Sequence, residues 1–311
     1  MRRFPSTQAA AVLAIGVVVA GCTALGRGGS GDSSATPGPS ASSPSASSGT
    51  PYQVDSSPSS LVVRVDSGGG LVPLSFFLDH VPQFSLYGDG RIVVPGPVDS
   101  IYPAPLLPNL RVMVVTAAEI QRILAAADSA GLLGADASYT VDGIMDAPTT
   151  TFTAIVAGRK HVVSAYALGI EPTASPDPAV ASARVRLVDF ETKLVALGTF
   201  LGREVGTVAY APTSVRVFTA TYDPATDTNG LKRQVLAWPL AIDPGRAGTA
   251  TSAGTYHCLV LSGGDLATFL GAAASTNGLT VWTAASGSYT SLVRPSLPDE
   301  TGCGPTAGRA A

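Results

Sequence analysis

Gln83-Phe84-Ser85-Leu86-Tyr87-Gly88-Asp89-Gly90-Arg91-Ile92-Val93-Val94 is the stretch that decides how the folded part of this chain is built. Two short runs rich in apolar and β-branched residues flank a Gly-Asp-Gly turn. Tight hairpins need residues that tolerate φ > 0, so the spacing predicts an antiparallel β-hairpin.

Working outward, Leu61-Val62-Val63-Arg64-Val65 reads as a strand that Ser67-Gly68-Gly69-Gly70 breaks. Pro95 to Pro108 is a proline-rich crossing loop, and Leu110 to Val115 a further short strand. A helix follows. Thr116 is placed to N-cap it, Glu119 completes a capping box, Ile120, Ile123 and Leu124 share one face, and Gly131 stops it. Thr149 to Val156 and His161 to Leu168 flank Ala157-Gly158-Arg159-Lys160 as a second hairpin. Asp177 caps a longer helix with Pro178 at its first position. There Val180, Ala183, Leu187, Phe190, Leu194 and Leu197 recur at spacings of three and four, the period of a core-facing stripe. Strands at Val205 to Tyr210 and Ser214 to Tyr222 come next.

Near the C-terminus the pattern returns. Ser262 with Asp265 resembles the Thr116 capping box, and Leu266, Phe269 and Leu270 match Ile120, Ile123 and Leu124. A hairpin of Thr280 to Ala284 and Tyr289 to Val293 around Ser286-Gly287 then follows. The expectation is a degenerate two-fold repeat of helix, strand, turn, strand. This order gives an α+β fold, antiparallel β-hairpins with helices packed on one face. The domain is expected over 61–303, with a candidate division into lobes at 61–170 and 171–303, and a frayed tail over 304–311.

The first 60 residues differ in kind. Arg2 and Arg3 precede an apolar run, Ala9 to Val19, that is too short to span a bilayer, which needs about 20 residues. Those are the marks of a secretory signal peptide, expected over 1–21. Its end, Val19-Ala20-Gly21-Cys22, resembles the lipobox of bacterial lipoproteins. The resemblance implies that the Cys22 thiol is diacylglycerylated and the chain cut just before it, leaving the protein on the outer face of a cell membrane. Dual acylation anchors a protein where one chain binds only marginally. From Cys22 to about Ser60 the chain is mostly Gly, Ser, Pro, Thr and Ala. It reads as a disordered tether that cannot bury enough surface to fold.

Charge and cysteine use set further bounds. The net charge is −3, and of 19 basic residues only Lys160, Lys193 and Lys232 are lysines, an arginine bias typical of GC-rich genomes. No basic stripe is present, which argues against a nucleic-acid partner. With Cys22 taken by lipid, Cys258 and Cys303 remain as an even pair in an oxidising compartment, and a disulfide is expected between them. By the chain-entropy model, closing such a loop contributes roughly 4 kcal/mol.

Motifs for chemistry are thin. His80, His161 and His257 are isolated, and none has the spacing of a zinc site. His257 and Cys258 are adjacent on a strand, so they point to opposite faces and cannot act as base and nucleophile. The chain has no Gly-x-Ser-x-Gly elbow. Placing Gly230 sixth in a calcium loop puts Ala225 first and Leu236 twelfth, where acidic ligands belong. Asp142 and Asp146 flank Gly143-Ile144-Met145 in a loop, where solvated carboxylates are the simpler reading. The triple glycine at 68–70 lacks the Gly-Lys-Ser/Thr of a phosphate cradle. Trp282 reads as core, and Tyr102, among prolines, as the best surface aromatic. No catalytic residue, metal ligand or cofactor is assigned.

Three stretches together resemble uncharacterised lipoproteins of actinobacterial type. They are Phe84-Ser-Leu-Tyr-Gly-Asp-Gly90, Asp146-Ala-Pro-Thr149 with its following hairpin, and Arg294-Pro-Ser-Leu-Pro-Asp-Glu300 before Cys303. The resemblance implies an extracytoplasmic α+β domain and supplies no functional residues. The expected function is a membrane-anchored envelope lipoprotein whose domain binds an envelope protein or a small ligand. The runner-up is an envelope hydrolase with an unrecognised Ser/His/carboxylate site. Cys22→Ala should leave the precursor uncut and without fatty acid, as read by gel mobility and fatty-acid labelling; normal processing of that variant would refute the lipobox.

Overall fold

The computed structural model describes residues 51–304, apart from 171–176, 228–229 and 252–254, and all of these belong to one compact unit. The leader, Cys22, most of the tether and residues 305–311 of the tail lie outside the described residues. The 83–94 stretch forms its hairpin. Strands β2 (Phe84–Tyr87) and β3 (Arg91–Pro95) run antiparallel, with Ser85 opposite Val93 and Leu86 opposite Ile92; β1 (Leu61–Gly68) precedes them. The two glycines of the turn serve different ends. Gly90 takes φ +87°, whereas a Cβ on Gly88 would lie 1.8 Å from the carbonyl oxygen of Asp55.

That close approach corrects the expected tether. Residues 51–60 lie against the domain. The Tyr52 N–H donates to the Gln121 side chain (2.7 Å), the Ala157 N–H to the Gln53 carbonyl (2.7 Å) and the Gly88 N–H to the Ser60 carbonyl (2.9 Å). Backbone and amide hydrogen bonds hold a segment whose composition offers few apolar residues, with Tyr52 and Val54 packing on the core.

An eight-stranded sheet grows around the hairpin. It adds β4 (Leu110–Val114), β5 (Ala137–Tyr139), β6 (Thr149–Val156), β7 (Arg159–Tyr166) and β8 (Val208–Ala209), in the order β5-β7-β6-β1-β2-β3-β4-β8. The β6–β7 turn is tighter than expected. Ala157 and Gly158 both take positive φ, the two-residue turn that matches strand twist, so β7 starts at Arg159. Helix α2 (Ala117–Ser129) carries the predicted capping box, and the Asp177 side chain caps α3 (Pro178–Val195), which α4 (Leu197–Leu201) follows. Ile120, Ile123, Leu124, Leu187, Phe190 and Leu194 bury against Val63, Val65, Leu86 and Phe152, so one face of this sheet carries the helices.

The second sheet has six strands, ordered 235–237, 281–284, 287–295, 214–221, 257–262 and 249–250 across it. They are β9 (Ser214–Thr221), β10 (Val235–Ala237), β11 (Thr249–Ala250), β12 (His257–Ser262), β13 (Val281–Ala284) and β14 (Gly287–Pro295). Helix α5 (Gly263–Ala273) covers one face, its Phe269 packed with Trp238 and Trp282. The chain is therefore α+β and mainly antiparallel. Two short edge pairs, β5 with β7 and β10 with β13, are parallel. Helices α3 and α4 belong to the first sheet, so the change of sheet falls between Ala209 and Ser214 and not at residue 170. A repeat is not shown: Ser262 ends β12 with no side-chain cap. Moreover, β6 joins β1 by the first strand of its hairpin, whereas β14 joins β9 by the second.

The sheet faces turned away from α2, α3 and α5 are tied together by charge. Short helix α1 (Leu74–Asp79) puts Leu78 against Phe218 and Cys258 of the second sheet, while Leu297 packs on Tyr87, Val93 and Leu110 of the first. Asp299 then accepts from Arg64 and Tyr87 on the first sheet, each at 2.8 Å. Its neighbour Glu300 takes both guanidinium nitrogens of Arg294, on β14, with Arg216 of β9 at 3.8 Å. Arg294 also donates to the His80 carbonyl (2.6 Å), and Arg216 to the Gly302 carbonyl (2.8 Å). The Cys258–Cys303 disulfide is present and fixes the end of this segment to β12.

Arg294 is 0% exposed and Arg216 2%. Removing the anion between them leaves buried cations uncompensated, a loss of about 3–5 kcal/mol. Burial alone would raise the Glu300 carboxyl, but the hydrogen bond and charge of Arg294 outweigh it and hold it below its usual range. Its stabilisation is thus present above the unfolded carboxylate pKa and lost as pH falls. Glu300→Gln should lower urea stability by that amount at pH 7 and flatten the acid limb of the stability curve. A variant as stable as the parent at pH 7 would remove this pair from its structural role.

Candidate functional site

The residues singled out by sequence are dispersed. Cys22 lies outside the described residues, and Cys258 and Cys303 are joined to each other. His257 is exposed and Cys258 buried, on opposite faces of β12. Trp282 is fully buried and donates to the Ser291 hydroxyl (2.9 Å), while Tyr102 is 73% exposed. Asp142 and Asp146 are exposed loop residues. Asp227 is engaged by Arg233 and by the Tyr222 hydroxyl. Among the described residues no group of three potential ligands is arranged to hold a metal, and no helix is long and apolar enough to cross a membrane.

One histidine does meet a carboxylate. His80, at the end of α1, brings Nε2 within 2.6 Å of Asp66 Oδ1, and the other Asp66 oxygen is buried without a hydrogen-bond partner. This pair is built into the contact between the sheets, since the His80 carbonyl also receives Arg294. Among the described residues no hydroxyl or thiol is hydrogen-bonded to the ring of any histidine. His161 Nδ1 instead meets the Gly134 carbonyl at 2.8 Å.

The arrangement best suited to a ligand lies on the helix-bearing side of the first sheet. There the helices leave part of the sheet uncovered, and a groove of about 380 Å³ opens between the strands and the last turn of α3. Val65, Phe84, Val94 and Met113 form its sheet wall, and Leu194 and Val195 its helix wall. That volume falls within the roughly 300–1,000 Å³ range of small-molecule pockets. Two polar side chains line it, Gln83 at the exposed rim and Glu191 on the helix. Glu191 makes no hydrogen bond or ion pair among the described residues, and burial pushes its carboxyl above the ordinary value. Sequence reading missed this residue because it lies outside the apolar stripe of α3. Only the placement of α3 over the sheet sets that flank opposite Val94 and Met113.

No family model, curated protein or solved structure matches this chain.

Beside the His80–Asp66 pair, Asp79 is pushed up to about 6, chiefly by burial. A carboxyl raised in the folded state weakens folding once pH climbs past its unfolded value near 4, the reverse of Glu300. Asp79→Asn should therefore stabilise the protein by on the order of 1–2 kcal/mol at pH 8 and by almost nothing at pH 4. Equal effects at the two pH values, read by urea titration, would disprove burial of this charge.

Proposed function

We propose that this chain is a lipid-anchored protein of the extracytoplasmic membrane face whose domain binds a small amphipathic molecule in the groove at Glu191. The anchor rests on Val19-Ala20-Gly21-Cys22 at the end of a short apolar run, behind Arg2 and Arg3. The Cys258–Cys303 pair fits an oxidising compartment. The observation that carries the binding role is the groove itself: an apolar concavity with one inward carboxylate, left open by the helices. The resemblance to uncharacterised envelope lipoproteins agrees with this reading.

A ligand that binds only the folded state raises the melting temperature by mass action, by about 2.7 kcal/mol of stability at one hundred times Kd. Melting the oxidised mature protein against cations, sugars, muropeptides, lipids and small amphiphiles should show a shift with the last class. Met113→Trp, which fills the groove from its sheet side, should abolish that shift. A shift that survives Met113→Trp would move the ligand away from the groove, and no shift with any amphiphile would leave the domain a protein-binding role.

A further inference from the structure

Granting that the groove is a ligand site, its chemistry specifies the ligand further. Its walls are hydrocarbon: Val65, Phe84, Val94 and Met113 on one side, Leu194 and Val195 on the other. Into this surface projects one carboxylate, Glu191, with no hydrogen-bond or ion-pair partner among the described residues. Among the described residues, neither neighbouring basic side chain is hydrogen-bonded or ion-paired to Glu191. Lys193, two residues on, is held by Asp189 at 2.5 Å, one turn back along the outer side of α3. Arg111, two residues before Met113 on β4, donates to the Thr207 carbonyl at 3.3 Å. Gln83 at the rim is neutral.

A carboxylate partly withdrawn from water without a counter-charge is unfavourable, and a cation delivered with apolar surface relieves that cost while covering the walls. An anionic ligand would meet like charge, and a purely apolar one would desolvate Glu191 further. We propose that the groove takes a primary amine bearing a compact hydrocarbon group, its ammonium donating to Glu191 and its hydrocarbon lying on Val94 and Met113. The preference comes from charge complementarity at one residue, and the affinity from the area of the walls.

The test uses the unlipidated mature chain from Thr23 to Ala311, so that no acyl group competes, with hexylammonium and 1-hexanol as probes in calorimetric titrations. Hexylammonium should bind at least about tenfold more tightly than hexanol, equivalent to about 1.4 kcal/mol. Glu191→Gln should lose that preference while still taking hexanol. Glu191 makes no hydrogen bond among the described residues and burial raises its carboxyl, so the variant should melt at or above the parent, which circular dichroism checks. Met113→Trp, as a second variant, should abolish binding of both probes.

Equal affinity for the two probes in the parent protein overturns the amine assignment and leaves the groove standing as a ligand site. Amine binding that survives Met113→Trp places the amine elsewhere and overturns the proposal likewise. If neither probe binds, the groove reading falls together with it.

Discussion

Arg294 and Arg216 are buried between two sheets, and adjacent carboxylates make that burial tolerable. Asp299 turns to the first sheet, where Arg64 and Tyr87 receive it, and Glu300 turns to the second, where Arg294 takes it bidentately. The Leu297 N–H also donates to Glu300 (3.0 Å), fixing the turn that splits the two side chains. Neither sheet supplies the carboxylate that pairs with its own buried arginines. Each depends on a segment that follows the last strand, so the two layers and the nine described residues after β14 form one cooperative object. Such a seam is weak evidence for extra stability, because hydrophobic replacement of buried ion pairs is often neutral or better. Its contribution is register: a slip of either sheet strands a charge.

The disulfide acts on the same segment. Cys303 follows Glu300 by three residues, and its bond to Cys258 delivers the carboxylates to the seam from a fixed point on β12. Between that bond and the Pro295 end of β14 the segment has little freedom, so the cost of ordering it is reduced before the ion pairs form. His80 adds a third tie, its ring on Asp66 of the first sheet and its carbonyl on Arg294 of the second. The same contacts build the His80–Asp66 pair into the joint between the sheets.

Much of this was legible in the residues, wherever a local signal was strong enough to survive its surroundings. Gly88-Asp89-Gly90 announced a hairpin, Thr116 and Glu119 a capping box, and Asp177-Pro178 the start of a helix. All three form as read. The misses share a cause. Three-residue strands such as β5 and β10 have no measurable period, so their parallel pairing is decided by the strands they join. Helix α1 has six residues and no cap of its own, and exists because Leu78 fills a space beside Cys258. Residues 51–60 look like tether by composition, yet their hydrogen bonds go to partners up to about a hundred residues away. Asp299 and Glu300 were visible as part of a quoted motif, but their partners were not, since Arg64 lies 235 positions from Asp299.

The groove follows from how the same sheet is filled. Strands β1, β2 and β3 are covered at their centre by α2 and α3, but α3 ends at Val195, where the side chain is 84% exposed, before it has crossed β3 and β4. What lies beyond its last turn is partly open sheet surface at Val94 and Met113, with the buried Phe84 beneath. Along β2 this opening sits at the Phe84 end, whereas the incoming segment at Asp55 meets the Gly88 end. The strand therefore separates the point where the chain enters the domain from the point where its apolar surface is open. A carboxylate at that open point is the reverse of what core packing alone would select. Its position on the last full turn of α3 places it where a bound cation can be met without disturbing the core beneath.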